Sequence, residues 1–239
     1  DLHQSWLYAA EDDDRLHQFK LQGRLALGGF GQLQQQAMRQ LKQSIQQRLA
    51  DWLRDDLTAV PPQVLEMSTH GLALKLLWGG DKGLWRQRAD GTVLQIDLRP
   101  GKLMNKADQP RLDTLCGLWL GHLAANAAGQ STTSLQSGTD GLLVLPALAP
   151  EAAQALISDL VEVYLQAWQS PLPLARKTGC AWLIARQFPH AKHSPTQAAQ
   201  AAQTAARQAF EGGYRRIGER STSASLHRAY PEFEDIWPG

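Results

Sequence analysis

Between Gly31 and the Pro61-Pro62 pair, apolar side chains recur at Leu33, Ala37, Leu41, Ile45, Leu49 and Trp52/Leu53. That is the spacing of a single helical face, and the opposite face is rich in glutamine, a soluble and helix-tolerant residue. The stripe predicts a helix from about Gln32 to Leu57, stopped ahead of Ala59-Val60-Pro61-Pro62. The run "GRLALGGFG", Gly23 to Gly31, leads into it. Gly28, Gly29 and Gly31 fit a tight turn feeding the helix. A phosphate cradle at the helix N-terminus is the alternative, but neither GxxxxGK[ST] nor GxGxxG is present.

After the prolines the period shortens. "QVLEMSTH", "LALKLLW", "GLWRQRA" and "TVLQIDLR" are short apolar or β-branched runs, separated by His70-Gly71, "GGDKG" and Asp90-Gly91. Such punctuation predicts an antiparallel meander from about Val64 to Arg99. A helix from roughly Ala107 to Ala128 follows, with Leu112, Leu115, Trp119 and Leu123 on one face. "GQSTTSLQSG" is serine-rich and reads as a loop. "GLLVLPAL" reads as a short buried strand, and "PEAAQALISDLVEVYLQAWQ" as an amphipathic helix opened by Pro150 and Glu151. "SPLPLARKTGCAWLIARQ" is extended and then helical, and "FPHAKHSPTQ" is an exposed loop. An alanine-rich helix stopped by Gly212 and a short, partly ordered tail complete the chain. This order predicts an α/β (α+β) layout on one mixed sheet.

The 239 residues are enough for one sizeable core or two small ones, and 43% hydrophobic content argues against general disorder. No apolar run reaches the ~18 residues of a membrane span. No charged-then-apolar leader opens the chain, and the start at Asp1 has the look of a piece cut from a longer protein. Cys116 and Cys180 lie alone in apolar surroundings, as expected of buried thiols in a reducing cytoplasm.

The net charge of +1 hides strong blocks. Residues 75–111 hold 8 Lys/Arg against 4 acids, whereas residues 112–170 hold 5 acids and no Lys or Arg. The basic block suits a polyanion, and the acidic one suits the core or a protein partner.

Candidate chemistry centres on "TVLQIDLRPGKL", a strand ending in Asp97-Leu98-Arg99. Metal-dependent nucleases place Asp-x-Lys or Glu-x-Lys at such a strand end. A magnesium site needs several oxygen ligands, normally two or more protein carboxylates with phosphate and water. Asp97 supplies one, and Asp81, Asp90 and Glu66 are weak candidates for the second. Arg99 is the sharper objection, because a permanently charged planar fork suits phosphate contact more than proton management. His190 and His193 share a loop without a third ligand, and His122 reads as a helix-face or interface histidine.

Four stretches, in order from about residue 20 to 231, together resemble one family, the C-terminal domain of RecC, the exodeoxyribonuclease V gamma subunit. They are "GRLALGGFGQL", with Ala26 where the family usually has proline; "LRPGKL" with "LDTLCGLWLGHLAANAAG"; "SPLPLARKTGCAWL"; and "AFEGGYRRIGERSTSASLHRAYP". The resemblance implies a restriction-endonuclease-like (PD-(D/E)xK-type) fold, a mixed central sheet flanked by helices with a degenerate catalytic site. Asp97 and Arg99 would then be a vestigial motif.

It also implies one nuclease-like domain over 1–239, with residues 1–31 as lead-in and residues 189–239 as a helical extension. The implied role is non-catalytic: guiding DNA and scaffolding a bacterial, cytoplasmic RecBCD-type helicase–nuclease in double-strand break repair by homologous recombination. Its partners would be double- and single-stranded DNA and RecB-like and RecD-like subunits, with no membrane. Mg²⁺ and ATP would be used by the partner subunits, with no cofactor in this domain. Lys82, Arg86, Arg88, Arg99, Lys102 and Lys106 would contact phosphates without reading bases. Two alternatives are an active metal-dependent nuclease using Asp97, and a pure docking module that presents residues 112–170 and the helix at 196–211.

Overall fold

The computed structural model describes residues 7, 12–54, 56–80, 84–105, 107–213 and 216–237. The chain divides into two compact units, Asp1–Asn105 with Leu115–Asp159, and Lys106–Thr114 with Leu160–Gly239.

The first unit opens with helices α1 (Asp12–Leu21) and α2 (Gly28–Gln47). Leu16, Phe19 and Leu25 pack on Met38 of α2. The strands are β1 (Thr58–Ala59), β2 (Gln63–Thr69), β3 (Leu72–Trp78), β4 (Leu84–Gln87) and β5 (Val93–Leu98). Helix α3 (Cys116–Ala127) then leads to β6 (Thr132–Ser137) and β7 (Leu142–Leu145). Five strands form a mixed sheet in the order β1-β4-β5-β6-β7. Its one parallel pair is β5–β6, with α3 in the connection between them.

The structure corrects four sequence expectations. Helix α2 runs over 28–47 rather than 32–57, starting within the glycine run. Leu49 and Trp52 prolong the apolar stripe because they pack on the same core from a following turn. Helix α3 begins at 116, not 107, because Asp108 takes a left-handed φ of 57° and Pro110 follows.

The expected meander is split: β4 and β5 share the main sheet, whereas β3 pairs only with β2 in a separate hairpin. Gly79 and Gly80 explain the break. Their φ values of 78° and 74° turn the chain away after Trp78, and the Gly80 amide donates to Val60 O. The edge of β4 is thereby left to β1. Finally, "GQSTTSLQSG" is not a loop; it contains β6, a central strand whose Thr132, Ser134, Gln136 and Ser137 are buried.

Alternation along β5 gives the sheet two different faces. Leu94, Ile96 and Leu98, with Leu135 of β6, pack against Ile45 and Leu49. Val93 points the other way and packs with Trp85 against Ala124 and Ala125 of α3. Each fully buried aliphatic side chain on the α2 face stabilises the unit by roughly 1.5–3 kcal/mol.

Helix α4 (Pro150–Gln169) passes from the first unit into the second. The second unit contains a 3₁₀ turn at Leu112–Thr114, α5 (Arg176–Gln187) and α6 (Pro195–Glu211). Two short strands, β8 (Gly212–Gly213) and β9 (Arg216–Ile217), precede helices α7 (Glu219–Thr222), α8 (Ala224–Ala229) and α9 (Phe233–Ile236). A capping box starts α6: Ser194 Oγ accepts from the Gln197 amide, and Gln197 Oε1 accepts from the Ser194 amide. Ala198, Ala202, Ala206 and Phe210 form its buried stripe.

The tail is more ordered than the sequence predicts. Phe233 and Ile236 are buried against Phe210 and Ala206, and Arg207 lies 4.7 Å from the Phe233 ring centroid. Helix α5 lacks a side-chain cap of its own, and Glu219 supplies one from 41 residues away. Its oxygens accept from the Lys177 amide at 3.0 Å, the Thr178 amide at 2.9 Å and Thr178 Oγ1 at 3.0 Å.

Candidate functional site

The parallel strands β5 and β6 end side by side, and ligands of parallel sheets commonly bind beyond the C-terminal strand ends. Asp97 occupies that edge, directly in register with Gln136 of β6. Residues two apart on a strand share a face, so Arg99 falls on the same side as Asp97. Asp97 Oδ2 accepts from Arg99 Nε at 2.6 Å and from Gln136 Nε2 at 2.8 Å. The Arg99 amide extends the ladder to Ser137 O at 2.8 Å, and Pro100 then ends the strand. The Asp-x-Arg spacing thus folds back on itself: the base pairs with the acid two residues before it, and the neutral Gln136 amide donates to the same carboxylate oxygen.

Two of the candidate second ligands, Glu66 and Asp90, lie elsewhere and have other partners. Glu66 pairs with Lys75 at 2.8 Å on the exposed side of the β2–β3 hairpin. Asp90 sits in the β4–β5 turn, at the far end of β5 from Asp97, and accepts from Thr92 Oγ1 and the Thr92 amide. Those bonds hold its carboxyl below the usual range. Asp81 lies outside the described residues. Among the described residues no cluster of three His, Cys, Asp or Glu side chains could hold a metal ion.

The loop after β5 is bound to the β6–β7 turn. Asp140 accepts from the Leu103 and Met104 amides at 2.7 and 3.2 Å. Burial disfavours its charge, but these bonds and the nearby Lys102 outweigh it and lower the pKa. Arg48, at the end of α2, donates to Gly138 O and Thr139 O at 3.1 and 2.8 Å.

Behind Asp97 the same face carries a buried polar layer that the sequence reading missed. Ser134 Oγ donates to Gln95 Oε1 at 2.7 Å and lies 2.9 Å from His122 Nδ1. Asn126 Nδ2 donates to His122 O and Thr132 O, and its Oδ1 accepts from the Thr132 and Leu148 amides at 3.1 Å. Gly121 allows Gln95 to approach: a Cβ there would lie 2.4 Å from Gln95 Nε2. Burial pushes the His122 pKa below the usual histidine value, against a hydrogen bond to the Pro146 carbonyl, so the ring is neutral at pH 7. Two cues for this layer were present in the sequence: the period-2 alternation of Thr132, Ser134 and Gln136, and the flanking Gly129 and Gly138.

A family described as the RecC C-terminal domain matches residues 1–187. The chain belongs to the RecC C-terminal domain family. Membership ties it to a RecBCD-related role in DNA repair, within a complex that works with DNA. No curated protein matches the chain. The matched span covers the whole sheet and ends with the last residue of α5, so three of the four resembling stretches fall inside it. No described helix is long and apolar enough to cross a membrane.

The basic residues of this RecC-type domain do not form one cluster. Arg86 and Arg88 lie at the Val93 end of β5. Arg86 donates to Trp85 O, and Arg88 donates to Trp52 O with its guanidinium 5.8 Å from the Trp52 ring centroid. Arg99 and Lys102 lie at the opposite end, with Lys102 exposed beside Asp140. Lys82 and Lys106 lie outside the described residues.

Proposed function

We propose that this chain is a non-catalytic DNA-guiding and scaffold domain of a RecBCD-type helicase–nuclease, a restriction-endonuclease-like fold whose catalytic site has degenerated. The observation that carries the reading is the state of Asp97. Its Oδ2 accepts from Arg99 and Gln136, so the one acid at the strand end is already neutralised within the protein. Among the described residues no three metal-ligating side chains cluster, and a permanent cation already pairs with Asp97, which argues against the ligand charge that hydrolysis requires. The mixed sheet, with its parallel pair joined through a helix, supports the fold assignment.

DNA would be held through phosphates, by Arg99 and Lys102 at the C-terminal edge of β5 and by Arg86 and Arg88 at the other end, with Lys82 and Lys106 as further candidates from the sequence. Such contacts position a duplex without reading it, and they weaken as salt rises. Catalytic metal and nucleotide would belong to the RecB-like and RecD-like partners.

The test is incubation of the purified chain with end-labelled duplex and single-stranded DNA and Mg²⁺ or Mn²⁺, beside Asp97→Ala. The expected result is no cleavage by either protein, with DNA retention that falls steeply between about 50 and 200 mM salt. Cleavage by the wild type that vanishes in Asp97→Ala would establish a nuclease and overturn the reading.

A further inference from the structure

The second half of α4 has no role in the site described above. The buried residues of this 20-residue helix, Ala153 and Ile157, both fall in its first half. Ser158 closes that half with hydrogen bonds to Thr69 Oγ1 and His70 Nε2. Beyond it, Val163, Tyr164 and Trp168 are 39%, 55% and 75% exposed. Tyr164 and Trp168, one turn apart, form an edge-on pair with ring centroids 6.1 Å apart. Single exposed apolar residues need no explanation, but an exposed Tyr–Trp pair on a rigid helix has the composition of a binding hot spot.

Three features specify what would cover it. Residues 112–170 contain no Lys or Arg, and α4 itself carries Glu151, Asp159 and Glu162. The last turn of α4 has no basic residue, so the negative end of the helix dipole is not offset by a side chain of its own. The exposed aromatic faces attract guanidinium and ammonium groups. The first two repel the phosphates of nucleic acid, and all three favour a cationic protein surface.

We propose that Val163, Tyr164 and Trp168 dock into an apolar groove rimmed by Lys and Arg on a protein partner in the assembled complex. The inference rests on the scaffold part of the function proposed above. Helix-in-groove recognition of this kind uses anchors spaced i and i+4, as Tyr164 and Trp168 are. An arginine of the partner would stack on Trp168, with Glu162 pairing at the edge.

The experiment titrates the full chain, wild type and Trp168→Ala, Tyr164→Ala and Glu162→Lys, onto purified RecB-like and RecD-like subunits in turn. Because the three side chains are exposed, the variants should melt as the wild type does. The expected result is a loss of about tenfold or more in affinity for one subunit in Trp168→Ala, with a smaller loss in Glu162→Lys. Wild-type binding should weaken with salt, and amide exchange over 160–169 should slow in the complex. Equal binding by all variants, or none by the wild type, would overturn the proposal. So would a wild-type dimer that Trp168→Ala converts to monomer, since a second copy would then be the occupant. DNA retention and cleavage should not change in these variants, so failure here is distinguishable from failure of the DNA-guiding reading.

Discussion

On one face of the paired strands β5 and β6, Leu94, Ile96, Leu98 and Leu135 meet Ile45 and Leu49 of the α2 segment. On the other, Gln95, Asp97, Ser134 and Gln136 share a face with His122 and Asn126 of α3, linked by hydrogen bonds. The strands are the same and only the alternation differs. The leucines and isoleucines of the apolar face work by packing and tolerate apolar side chains of the right volume. The polar face works only if each donor meets its acceptor, because an unpaired buried polar group costs about 1–3 kcal/mol. That face also carries Asp97 at the C-terminal edge of the parallel pair, and its Oδ2 accepts from Arg99 and Gln136. A hydrolytic site leaves ligand positions open for metal and substrate; here Asp97 is bound by its own strand and its neighbour.

The comparison can be broken first on the apolar side. Leu135→Ala should destabilise the sheet-containing unit by about 3 kcal/mol, read as a lower urea midpoint. Asn126→Ala deletes only a polar side chain, yet it removes the side-chain partner of Thr132 O and of the Thr132 and Leu148 amides, and a second donor to His122 O. A loss of about 2–3 kcal/mol is expected, close to the leucine truncation; a loss near zero would mean the polar face is not held by its bonds. Gln136→Leu removes one donor to Asp97 and should cost about 1 kcal/mol in the same measurement.

The gentlest probe is pH. His122 is held neutral below its ordinary pKa of about 6.5, so on acidification the unfolded chain takes up its proton first. The contribution to stability is complete above that value and is lost progressively as pH falls below it. His122→Gln should flatten this part of the stability–pH curve, and an unchanged curve would refute the assignment.

Much of the architecture was legible in local pattern. The stripe at Leu41, Ile45 and Leu49, Pro150 and Glu151 opening α4, and Ser194-Pro195 before the alanine-rich α6 all carry their signals within a turn or two of sequence, although Leu33 and Ala37, expected on the same face, are exposed and Met38 is buried instead. So did Asp97 at a strand end, and Arg99 as its departure from lysine. What could not be read was non-local. Strand β6 is polar because its neighbours Gln95, His122 and Asn126 are polar, and a buried central strand ordinarily reads as an apolar run. The separation of β3 from β4 depends on two consecutive left-handed glycines and on β1 taking the vacated edge, with Thr58 opposite Gln87 and Ala59 opposite Arg86. The Asp97–Gln136 contact spans 39 residues and becomes visible only once β6 is recognised as a strand.

The central claim, that Asp97 is satisfied internally and does not serve a metal, is tested most directly by titrating Mn²⁺ and Mg²⁺ calorimetrically into wild-type chain and Asp97→Ala. The account predicts the same weak, non-saturating heats for both proteins. Saturable one-to-one binding by the wild type that disappears in Asp97→Ala would contradict it.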